Sequence, residues 1–96
     1  MAIQSFSDKN TEELFITGHI RKGLGWANVS QIVKRKLDMV YYAAQIDDLR
    51  APPGNNLEAL KGNLKEFYSI RINEQWRVIF RWSESGPSDV RITDYH

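Results

Sequence analysis

The sequence contains no cysteine, which removes disulfides, thiolate nucleophiles and thiolate metal sites together and fits a reducing compartment. It has two histidines, His19 and His96, far apart in the chain, so no protein metal site and no cofactor are expected. No apolar run approaches the ~18 residues that a membrane-crossing helix needs. The opening residues MAIQSFSDKN have neither a basic segment nor an apolar one after it, so no signal peptide and no membrane association are expected, and the expected location is cytoplasmic. Charge of neither sign dominates: 13 lysines and arginines against 12 acidic residues leave a net charge of +1. Affinity for a polyanion would therefore come from where the basic residues sit rather than from their number. There is no internal repeat, and 96 residues suit one domain, 1–96, with a modest core.

Along the chain, Ala2 to Phe6 suggests a short strand, and Ser7 or Asp8 caps a first helix with Glu12 and Glu13 near its positive end. Gly18 stops that helix. A loop follows, in which Trp26 is expected to plug the core and His19 to be solvated. Asn28 is the expected cap of the longest helix, where Val29, Ile32, Val33, Leu37, Val40, Tyr41 and Ala44 recur at helical spacing. Its outer face would carry Lys34, Arg35, Lys36 and Asp38, a solvated run. Residues 47–56, DDLRAPPGNN, are turn chemistry and carry the chain across to a sheet.

From there the pattern alternates. Tyr68, Ile70, Ile72, Trp76, Val78, Phe80, Trp82, Val90 and Ile92 form one apolar set, and Arg71, Arg77, Arg81 and Arg91 fall on the opposite face. A hairpin turns at Asn73 and Glu74, and residues 83–88 form a second turn. Three antiparallel strands covered by two earlier helices make an α+β domain of two layers: two N-terminal helices packed on a small twisted antiparallel sheet.

The arginine face, with Lys61 and Lys65 before it and Asp94, Tyr95 and His96 at its end, has the chemistry to hold phosphates. Tyrosine, histidine and aspartate can move protons, and Glu58 is near enough in sequence to act as a base. The reaction such a set could run is RNA cleavage by a neighbouring 2′-hydroxyl. Arginines alternating with apolar residues equally suit a solvated sheet face, and spacing alone leaves both readings open.

The segments DLRAPPGN at 48–55, LEALKG at 57–62, YSIRINEQWRVIF at 68–80 and DVRITDYH at 89–96 resemble the HigB branch of the RelE/ParE toxin superfamily, the toxic half of HigBA toxin–antitoxin systems. The resemblance implies a RelE-like, microbial RNase-like fold and a ribosome-dependent endoribonuclease that cuts mRNA in the A site. It also implies a HigA-type helix-turn-helix antitoxin as partner, with operator DNA bound only through the toxin–antitoxin complex. Carried over residue by residue, Lys61 and Arg77 match phosphate-stabilising positions and Asp94, Tyr95 and His96 match a terminal catalytic triplet. Arg71, Arg81, Arg91, Lys65, Glu58 and Asn73 are the expected RNA-binding set. This chain departs from the pattern at Glu58, where some members have histidine, and at Asn73, where some have arginine. Two other outcomes stay open: a ParE-like gyrase poison that cuts no RNA, and a non-catalytic RNA- or protein-binding module.

Overall fold

The computed structural model describes residues 1–94; the expectations placed on Tyr95 and His96 lie outside the described residues. Helix α1 spans Lys9–Thr17. Asp8 caps it by accepting the Thr11 amide at 2.7 Å, and Gly18 ends it in the left-handed region, its N–H bonded to the Leu14 carbonyl. Helix α2 spans Ser30–Tyr42, but Asn28 does not cap it. A turn of 3₁₀ helix over Ala27–Val29 leads straight into α2, so the chain is already wound before the helix begins.

Four strands, not three, make the antiparallel sheet: β1 Glu58–Ala59, β2 Phe67–Arg71, β3 Trp76–Ser83 and β4 Gly86–Asp94, in the order β1-β2-β3-β4. The α+β architecture is thus the expected one with an added edge strand. Residues 1–7 run beside the outer edge of β4. Gln4 N–H bonds Pro87 O, Ser7 N–H bonds Val90 O and Val90 N–H bonds Ser5 O, which makes a parallel bridge at Phe6 rather than a full strand. This closes an edge that would otherwise present unpaired backbone groups.

Both helices lie against the even-numbered face of the sheet. Val33, Leu37 and Val40 of α2 pack on Ile70, Val78, Phe80 and Val90, all buried, with Trp26 plugging the core as expected. Trp76, Trp82 and Tyr68 are partly buried at the margin of this cluster. Two residues of the α2 pattern behave otherwise: Ala44 lies past the helix end and is exposed, and Lys36 is buried rather than on the outer face. The odd-numbered face is not purely basic either. Leu60, Phe67 and Ile79 are buried there with Leu64 against them, a second small cluster formed where the 60–66 loop folds back over the sheet. At Asp89, with φ 51°, β4 bulges, so that Ser88 pairs with Arg81 while Arg91 pairs with Ile79. Val90 and Ile92 keep their place in the core because of that extra residue.

Candidate active site

Arg77 is the most constrained residue of the basic face. The β2–β3 register sets it directly opposite Arg71 and diagonal to Ser69. Its Nη1 donates to Ser69 Oγ at 2.8 Å and to the Asn56 carbonyl at 3.2 Å, and its Nη2 lies 3.0 Å from Glu58 Oε1. The guanidinium is consequently held from three sides, with the side chain only 12% exposed. Glu58 reaches it from β1, whose pairing with β2 sets Glu58 opposite Ser69. Backbone pairing with β2 makes this segment an edge strand.

Two guanidinium groups directly opposite each other on neighbouring strands repel, and like charges in that relation destabilise a sheet. Glu58 offsets one of the two. Among the described residues Arg71 forms no ion pair, and neither do Lys61 or Lys65, which are exposed on the loop joining β1 to β2. Among the described residues, this end of the face therefore sets Arg71, Lys61 and Lys65 around an arginine held in place. An anion with several oxygens, such as a phosphodiester, fits that basic set.

The other end of the face is different. Arg81 is paired with both Glu66 at 3.2 Å and Asp89 at 3.1 Å, and its guanidinium lies 4.6 Å from the centre of the Phe67 ring. Arg91 approaches the same ring at 5.7 Å. These two arginines cover a phenylalanine, and Arg81 is neutralised besides. A cleft of about 360 Å³ lined by Arg81, Glu66, Tyr68, Trp82, Ser83 and Ser88 lies at this end, away from Arg77.

Asp94, at the end of β4, pairs with Trp76 and accepts from Gln75 Nε2 at 3.0 Å. Asn73 is taken up by the hairpin, where its Oδ1 accepts the amides of Gln75 and Trp76 at 2.9 and 2.8 Å. It shapes the turn that sets Arg77 in register. Ser69 and the Asn56 carbonyl, both holding Arg77, were not among the expected site residues. A small hydroxyl in the middle of a strand, on the arginine face and two residues from Arg71, was the available signal for Ser69; a backbone carbonyl leaves none.

The family model for the RelE-like toxin of the type II toxin–antitoxin system HigB matches residues 4–96. The chain belongs to the HigB-like toxin family. Among its relatives, toxin HigB-1 of Vibrio cholerae serotype O1 is 43% identical over 82 residues, 85% of this chain and 84% of that one. The Endoribonuclease HigB of Proteus vulgaris is 29% identical over 94 residues, covering 98% and 99%. A solved YoeB/ParE toxin from Agrobacterium tumefaciens shares the fold over 100% of both chains, with a TM-score of 0.56 at 19% identity. Membership in a HigB toxin family implies an antitoxin as partner. No described helix of this HigB-like chain is long and apolar enough to cross a membrane.

Proposed function

We propose that this HigB-like toxin is an endoribonuclease that cuts mRNA in the ribosomal A site. The reading rests above all on Arg77, a nearly buried guanidinium held at fixed orientation beside Arg71, which forms no ion pair among the described residues. The name of the Proteus vulgaris relative supports an RNase activity. In the reaction the RNA 2′-hydroxyl loses its proton and attacks its own phosphate, breaking the bond to the next nucleotide's 5′-oxygen, which leaves as a protonated hydroxyl while a 2′,3′-cyclic phosphate forms. Arg77, with Lys61 reaching in from the loop, stabilises the charge that builds on the phosphate oxygens. Asp94, Tyr95 and His96 supply proton transfer and orientation, His96 being the main acid or base. Arg71 and Lys65 hold the flanking backbone, and Arg91 extends the track at its far end, where Arg81 is already matched by Glu66 and Asp89.

Glu58 occupies one side of Arg77 and is displaced or shared when a phosphate binds. The site is open and the net charge small, so free RNA gains little electrostatic affinity, and the ribosome brings the substrate into register. A HigA-type antitoxin neutralises the toxin in the cytoplasm and links it to operator DNA. The test is primer extension on translating ribosomes with the wild-type protein, Arg77→Ala and a chain lacking His96. Cleavage is expected with the first and lost with both variants; full cleavage by both variants would refute the site assignment. Intact mRNA together with impaired DNA supercoiling would refute the RNase reading itself.

A further inference from the structure

Behind Arg77 a chain of contacts runs into the core, and no step of the proposed reaction uses it. Lys36 projects from the buried face of α2 and is 9% exposed. Its Nζ donates to Asn55 Oδ1 at 2.5 Å. Asn55 is fully buried, and its Nδ2 donates to the carbonyls of Leu49 and Ala51 at 3.2 Å each. One amide side chain thereby ties α2 to the crossover at Leu49 and Ala51. Burial first, and then the charge of Arg35, hold the Lys36 ammonium below its ordinary pKa. An ammonium that gives up water for a neutral acceptor costs more than an apolar side chain of the same length would. Packing alone does not explain a lysine here.

The next residue supplies an explanation. Asn56 sits in the left-handed region, φ 44° and ψ 55°, and its carbonyl accepts from Arg77 Nη1. Two residues further, Glu58 pairs with Arg77 Nη2. The segment 55–58 therefore begins at the Lys36–Asn55 bond and carries two of the acceptors that orient Arg77.

We propose that Lys36 and Asn55 are positioning residues for Arg77, locking residues 55–58 against α2 so that the Asn56 carbonyl and the Glu58 carboxylate hold the guanidinium in one orientation. The catalytic consequence rests on the reading of Arg77 given above; the positioning itself does not. It is measured on the free full-length protein by the side-chain Nε–Hε NMR signal of Arg77, assigned with Arg77→Lys. Lys36→Met keeps the length and removes the donor. The chain is expected to melt close to the wild type, with the Arg77 signal moved and exchanging faster with water while that of Arg81 stays. Single-turnover cleavage on programmed ribosomes is expected to fall on the order of tenfold at saturating toxin, with ribosome affinity unchanged.

A folded Lys36→Met chain with an unmoved Arg77 signal overturns the proposal. Should Lys36→Met prevent folding, Lys36→Arg decides. It keeps the charge and a donor but alters their reach, so a moved Arg77 signal in a chain that melts with the wild type supports the relay and an unmoved one overturns it. If Arg77→Ala cleaves normally, the reading of Arg77 as the phosphate ligand fails, and the NMR result still decides the relay.

Discussion

Arg77 and Arg81 stand four residues apart on the same strand and the same face, yet they are in opposite situations. Arg77 is 12% exposed and, among the described residues, is held by a hydroxyl, a carbonyl and a carboxylate, opposite a second arginine. Arg81 is 44% exposed, lies over an aromatic ring and is bracketed by two carboxylates. Under the function proposed above, pre-organisation beside the basic Arg71 suits the first to hold a phosphate, while the second already has two carboxylates against it. What surrounds an arginine, more than which face it lies on, decides what it can bind.

The comparison is broken most directly by removing each arginine in turn. Arg77→Ala is expected to lower cleavage on ribosomes at least a hundredfold, in the range lost with a transition-state charge stabiliser. Arg81→Ala should change it less than threefold and, as an exposed pair, should alter stability in urea by only ~0–1 kcal/mol. Equal losses in both would erase the distinction. Ile79→Ala removes the buried side chain between the two arginines and should cost ~2–4 kcal/mol by urea denaturation, loosening both ends together. Ser69→Ala deletes one acceptor of Arg77. An expected loss of ~1–2 kcal/mol, with several-fold slower cleavage, separates the two ends, since the Ser69 hydroxyl accepts from Arg77.

The smallest effect concerns pH. Lys36 has a lowered pKa in the folded chain, so in the window between that value and the ordinary lysine value the unfolded chain binds more protons. Stability should therefore rise as pH increases through that window, and the burial cost is fully felt below it. Urea midpoints measured across the alkaline range should show that rise in the wild type, and Lys36→Met should flatten it. A rise of the same size in both would assign it to other groups.

Much of the fold could be read from the residues. Asp8 and Gly18 bracket α1 because cap chemistry is local, and the alternation from Tyr68 to Ile92 marks the core face because strand side chains have a period of two. What escaped was decided by long-range contacts. Lys36 sits at a helical position that pattern alone assigns to solvent, and only the approach of Asn55, 19 residues away, makes it a core residue. The pairing of Glu58 with β2 depends on a loop folding back, for which a two-residue strand carries too little periodicity to signal. Gly25 belongs here as well: a Cβ at this position would come within 2.7 Å of the Trp76 ring, a closeness between sequence-distant residues that no local pattern records. Of the site, the arginine and its charged neighbours stood out as types, whereas the acceptors that fix Arg77 include a backbone carbonyl that has no residue signature.

The bridge between residues 4–7 and β4 also bears on how the protein is made. It joins backbone groups more than eighty positions apart, Gln4 to Pro87 and Ser7 to Val90, and the Asp89 amide also donates to the Ser5 hydroxyl across a separation of 84. Contacts of such sequence separation form late, because a long loop must close before they return any energy. During synthesis the first segment waits, unpaired, until the last strand has emerged. A nascent chain therefore cannot complete its sheet while the ribosome that is making it still holds β4.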